Sequence, residues 1–138
     1  MYVCGSTQPP GTYDQLCVVK FNSTGEEIWR FIRNDPLAGD HVGLNMDLDG
    51  FGNIYIAAYL QDRINGDDEY CIVKLNPEGE EMWNYTGWAD SDEICWSIAV
   101  DSMGNSYFTG FTLEYGSGEE DLHVYKLSPS GEILWNAT

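Results

Sequence analysis

The groups in this chain that could do chemistry are two histidines, four cysteines and a surplus of carboxylates. His41 stands in a polar stretch and His123 in a strand-like one. Neither lies beside a serine or cysteine at a spacing that a nucleophile and base would use, although a triad can assemble from distant positions. We expect His41 at the surface and His123 packed in a strand. Asp67 and Asp68 are the kind of paired carboxylates a glycosidase uses, but acids are so abundant here that adjacency carries little information. The segment DLDGFGN at 47–53 has the look of a calcium loop, with Asp47, Asp49 and a glycine. It fails the EF-hand pattern, because Phe51 stands at the fifth position and Ala58 at the twelfth, so a structural turn is the better account. No glycine-rich loop has the strand–helix setting that phosphate binding needs.

Charge narrows the partners. Six Lys+Arg against 23 Asp+Glu leave a net charge of −17 over 138 residues. Nucleic acid and anionic membrane both require cationic surface, so neither is expected as a partner. Cations, basic proteins and sugars remain. No run approaches the ~18 apolar residues of a membrane span. Met1 falls directly in a strand pattern with no signal peptide before it. Asn-x-Thr sequons at Asn22, Asn84 and Asn136 are candidate glycosylation sites. Together these lead us to expect a piece of a longer, processed protein, extracellular or at the cell surface.

The elements that must position these groups come from a repeat. ICWSIAVDSMGNSYFTGF at 94–111 echoes VGLNMDLDGFGNIYIAAY at 42–59, each an apolar run, an Asp-x-x-Gly-Asn turn and an alternating aromatic run. Gly52 to Gly104 and Trp83 to Trp135 are each 52 residues apart, and Lys20 to Lys74 is 54. A supersecondary unit of that length cannot bury both its faces alone and must stack on a neighbour. The hairpin NSTGEEIW at 22–29 returns as NPEGEEMW at 76–83 and SPSGEILW at 128–135, with proline pre-setting the turn in two of the three. The middle unit reads as strands at about 42–48, 53–60, 69–75 and 81–86, and the last at about 94–100, 105–112, 122–127 and 133–137. The first keeps only strands two to four. RNDPLAGDH at 33–41 and GWADSDE at 87–93 read as connecting loops. The expectation is an all-β chain of β-propeller blades, four-stranded antiparallel sheets, about two and three-quarter of them. The units are 1–36, 37–88 and 89–138. A sandwich would show one polar face per strand, whereas these inner strands are apolar on both.

Cys17 and Cys71 hold equivalent repeat positions, normally too distant for a disulfide, and no C-x-x-C pair suggests zinc. Cys4 and Cys17 lie on adjacent strands and could pair if the register allows; buried free thiols are the simpler account.

The pattern D-x-x-G-N-x-Y-x-x-G followed by V-x-K-[LF]-x-x-x-G-E-x-x-W resembles the secreted β-propeller repeat of bacterial and archaeal surface proteins, named for seven-bladed propellers. SIAVDSMGNSYFTGFT and CIVKLNPEGEEMW carry it most closely. G-E-x-x-W also resembles the tryptophan-docking repeat of quinoprotein dehydrogenases, which implies that Trp29, Trp83 and Trp135 pack each blade on the next. Ala58 departs from the pattern where Gly5 and Gly110 keep it. The resemblance implies architecture and setting rather than activity, because such propellers carry many functions.

In that architecture one end of the sheets is the usual ligand face. It would gather Asp40, Asp67, Asp68, Asp92, Glu119 and Glu120, together with Glu69 and Glu93, as a site for a cation such as calcium or for a basic partner; a solvated acidic surface is the plainer reading. No cofactor is required. Trp88 and Trp96 lie outside the docking position and would suit sugar binding if exposed, or packing between blades if not. We therefore expect a non-catalytic structural or interaction module that joins other blades of the same or an identical chain. The competing classes are a propeller enzyme (quinoprotein-like oxidoreductase, lyase or glycosidase) and a lectin-like module. An enzyme would need polar groups at a ring centre, where only Asn45 and Ser97 are expected.

Overall fold

A computed structural model describes residues 1–33, 38–62, 66–87, 92–113 and 120–138, all β-structure and turns with no helix among them. Sheet 1 is β1 (Tyr2–Thr7), β2 (Gln15–Phe21) and β3 (Glu27–Arg33). Sheet 2 is β4 (Ala38–Leu48), β5 (Ile54–Asp62), β6 (Asp68–Leu75) and β7 (Glu81–Thr86). Sheet 3 is β8 (Glu93–Val100), β9 (Ser106–Thr112), β10 (Asp121–Leu127) and β11 (Ile133–Ala137). Each is an antiparallel meander in which sequence neighbours pair.

Two turn chemistries set this register. In the Asp-x-x-Gly-Asn turns, Asp49 Oδ1 accepts the Phe51 and Asn53 N–H groups, and Gly52 follows at φ +83°. Asp101 repeats this with Met103, Asn105 and Gly104. In the last hairpin of sheets 1 and 2, Asn22 Oδ1 accepts the Thr24 and Glu26 N–H groups and Asn76 Oδ1 those of Glu78 and Glu80. A bulge follows each strand lysine, after Lys20, Lys74 and Lys126. The short polar side chain caps the turn from within, and glycine supplies the positive φ that other residues resist.

Sheet 2 is apolar on both faces. On β5, Ile54, Ile56, Ala58 and Leu60 join Cys71, Val73 and Leu75 of β6 against Leu16 and Val18 of sheet 1. The intervening Tyr55 and Ala57, with Tyr70 and Ile72, pack on Cys95, Ile98, Phe108, Tyr125 and Leu127 of sheet 3. Side chains alternate across a strand, so a near-continuous apolar run is what a strand sandwiched between two neighbours requires. Strands β1 and β2 lie against β4, and β8 lies against β4, β5 and β6.

Two expectations need correction. Residues 38–41 are strand, not loop: β4 begins at Ala38, and the His41 N–H bonds the Asp14 carbonyl at 2.8 Å. His41 is therefore buried, not at the surface. The cysteines follow the simpler of the two accounts: all four are free thiols. Cys4 pairs with Val18 and Cys17 with Gly5, so the two sulfurs point to opposite faces of sheet 1 and cannot bridge. Ala58, the departure from the repeat, is matched by its partner: Ala58 faces Gly43, whereas Gly110 faces Cys95. A Cβ at Gly110 would strike the Ile94 carbonyl, and one at Gly43 would lie 2.7 Å from Leu16 Cδ1 of sheet 1, so each of these glycines serves a close approach of its own.

Candidate functional site

The most developed constellation is the seam between sheets. Trp29 Nε1 and Lys20 Nζ both donate to the Pro77 carbonyl, at 3.1 and 2.9 Å. Trp83 Nε1 and Lys74 Nζ both donate to the Pro129 carbonyl, at 2.9 and 3.0 Å. A carbonyl oxygen has two lone pairs, and each seam fills both. Lysine and tryptophan come from facing positions of adjacent strands, Lys20 opposite Trp29 and Lys74 opposite Trp83. A tyrosine completes the corner: Lys74 Nζ lies 4.7 Å from the Tyr55 ring, and Lys20 Nζ 5.4 Å from that of Tyr2. The indole sits on the hairpin glycine of the next sheet. A Cβ at Gly79 would stand 2.8 Å from the Trp29 ring, and one at Gly131 2.9 Å from that of Trp83. Glycine thus serves both the positive φ of the turn and the flat seat.

Burial lowers the pKa of Lys74, against the pull of the Asp49 carboxylate. Burial also raises the Tyr55 hydroxyl, which the Asp49 charge pushes further; that hydroxyl donates to the Gly104 carbonyl at 3.0 Å. Trp29 and Trp83 were singled out by the sequence and reach the next sheet, whereas Trp135 is exposed. The lysines were not singled out, because one lysine per strand reads as a solvated edge until its carbonyl partner is in place.

The opposite end of the sheets carries the acids expected as a ligand face. Asp40 Oδ1 accepts the Asp14 N–H and Asp92 Oδ1 the Asp68 N–H, each at 2.9 Å. These two carboxylates clamp one sheet to the next. Asp68 is raised by burial first, then by the charges of Asp92, Asp40 and Asp67. Tyr59 is raised by burial and by Asp68, Asp40 and Asp14. Glu69 and Glu93 do not join that solvated face: both are buried, with Glu93 Oε1 4.0 Å from His123 Nδ1. Glu120 is exposed beside β10. Glu119 lies outside the described residues, as does Trp88. Among the described residues no group of three or more His, Cys, Asp or Glu forms a metal site. Both carboxylate oxygens of Asp49 are occupied by its own turn, with Asn53 Nδ2 at 2.7 Å from Oδ2. Asp47 Oδ2 accepts the Val100 N–H across the seam. The calcium-like segment is a turn and a clamp.

His123 packs on Tyr125 with ring centroids 4.2 Å apart, in a stack with Tyr70 and Phe108. Burial pushes the Cys95 thiol up to about 12, so it stays protonated and unreactive. Trp96 is exposed and leans on Phe111 rather than filling a seam. Asn45 is half-buried and Ser97 exposed. Of the sequon asparagines, Asn84 and Asn136 are exposed on β7 and β11 and Asn22 is half-buried; the Asn22 amide bonds Glu26 and the Asn84 amide Glu81.

No protein-family model matches the chain, and no curated protein matches it.

Proposed function

We propose that this chain is a non-catalytic structural and interaction module, an arc of β-propeller blades belonging to an extracellular or cell-surface protein, and that its end faces engage further blades. One observation carries the reading. Val3, Ile56 and Phe108 hold the same repeat position; Ile56 and Phe108 are 0% and 2% exposed under a neighbouring sheet, and Val3 on the outer face of sheet 1 is 46% exposed. A control comes from the edge strands, where Ile28, Met82 and Leu134 are 55%, 53% and 51% exposed in all three sheets. The edge-strand position is exposed in every sheet, whereas the Val3 position is uncovered only where no neighbouring sheet lies over it. Uncovered apolar surface of this kind is characteristic of an interface.

The two-sided core of sheet 2 and the recurring tryptophan–glycine seat support the blade reading. The exposed sequons Asn84 and Asn136 support the extracytoplasmic setting. Among the candidate acids, Asp40 and Asp92 each bind a backbone N–H of the neighbouring sheet, which supports the stacking of sheets. Sedimentation equilibrium of the 138-residue chain should give a mass above that of one chain, rising with concentration. A single-chain mass at every concentration would sink the reading.

A further inference from the structure

We propose that the two end faces are complementary halves of one interface, so that a second copy of this chain docks head to tail. The Lys126/Trp135 corner of one copy then seats on the Asn22–Gly25 turn of the next. This rests on the reading above and names its partner and its seat.

The interface is seen twice within the chain, at Pro77 and at Pro129, and each end carries one half of a third. On the donor side, Lys126 faces Trp135 across β10 and β11, as Lys74 faces Trp83. Lys126 Nζ lies 4.9 Å from the Tyr107 ring, close to the 4.7 Å between Lys74 and Tyr55, and Trp135 meets Tyr107 edge-on at 6.3 Å. The corner is formed before any partner arrives, and its indole is 45% exposed. Beside it, Ser97, Ala99, Tyr107, Thr109 and Val124 line a groove of about 320 Å³.

On the acceptor side, Ser23 occupies the position of Pro77 and Pro129, and Gly25 that of Gly79 and Gly131. The turn has the same shape, with Gly25 at φ +84° against +87° at Gly79. Its seat is open: a Cβ at Gly25 would meet nothing within 4 Å. Val3 supplies exposed apolar surface on the same face. An unrelated partner would need its own Lys–Trp pair or glycine seat, whereas a copy of this chain brings both.

Two features set the strength. Sheet 1 has three strands, so among the described residues the seam between copies has no counterpart of β4 or β8 and no Asp40- or Asp92-type clamp; it is weaker than the internal seams and reversible. The charge of −17 on each copy opposes association, so added salt strengthens it. Because the two surfaces differ, the contact is heterologous and closes into a ring or runs on as a filament.

The test is complementation by sedimentation equilibrium, on protein made without glycans. Trp135→Ala removes the donor and leaves the acceptor. Gly25→Asn fills the seat with a side chain that tolerates positive φ and leaves the donor. We expect the unaltered chain to assemble, more so at higher salt, each variant alone to sediment at single-chain mass, and their equimolar mixture to give a one-to-one dimer and nothing larger. Should Gly25→Asn fail to fold, Val3→Glu blocks the same face. If the unaltered chain assembles and the variants assemble as well as it does, the seat assigned here is wrong while the wider reading stands. If the unaltered chain is single at every concentration and salt, both fall.

Discussion

Trp83 and Trp135 hold the same repeat position, and the difference between them is the neighbouring sheet. The first donates its indole N–H to a carbonyl and lies over a glycine; the second is 45% exposed over the same tyrosine-and-lysine corner. The same contrast separates Gly79 from Gly25 and Ile56 from Val3. A unit of this repeat carries its docking chemistry whether or not it is used. Stability then depends on how many seams are filled, as nearest-neighbour coupling in a repeat array implies.

The largest effect should come from emptying a filled seam. Ile56→Ala leaves a cavity between sheets 1 and 2 and should cost about 2–5 kcal/mol. Val3→Ala, at the same position on the open face, should stay within about 0.5 kcal/mol. Urea denaturation midpoints compare the two; equal losses would break the distinction between filled and open faces. Next in size are the glycines. Both Gly79→Ala and Gly25→Ala force alanine to positive φ, at about 1–2 kcal/mol. Only Gly79→Ala also drives a methyl into the Trp29 ring, adding about 1–3 kcal/mol of overpacking. The excess for Gly79, read from the same midpoints, is the energetic signature of the seat.

Smaller again is the indole hydrogen bond. Trp83→Phe keeps most of the ring and loses the donor to Pro129, at about 1 kcal/mol. Trp135→Phe should leave the melting temperature of the dilute chain unchanged and weaken only its assembly.

Much of this was legible in the sequence. Glycine follows a capping Asn, Asp or Ser at matching offsets from unit to unit, with proline in two of the three, so strand ends fall within a few residues of expectation. The apolar runs at 54–60 and 70–75 announce burial on both faces. Illegible features were polar groups whose partners lie in another unit. Asp40 and His41 read as loop residues because the sequence does not display the Asp14 backbone they bond. Glu69 and Glu93 read as surface acids because charge alone says nothing of burial. Asp40 and Asp92 read as ligand-face residues and are clamps, since a carboxylate facing solvent and one facing a neighbour's N–H have the same sequence pattern.

The finest comparison is between the equivalent turns of sheets 2 and 3. At Asp101 the largest influence is the Asn105 side-chain amide, and with the Asn105 and Met103 N–H groups and the Tyr107 hydroxyl it lowers the carboxyl to about 2. At Asp49 burial is the largest influence and raises the carboxyl; the Asn53 and Phe51 donors and the Lys74 charge together outweigh it and leave it lowered. Both folded values lie below the ordinary 3.8, so each carboxylate contributes stability that is whole above about pH 4. It is lost as pH falls through the folded value, near 2 for Asp101. Replacing either aspartate by asparagine keeps an acceptor for the backbone N–H groups but removes the titration. The acid limb of melting temperature against pH should therefore flatten in both variants below pH 4, and more in Asp101→Asn, where burial ranks behind the Asn105 hydrogen bond instead of being the largest influence. Equal flattening would show that burial does not set the two turns apart.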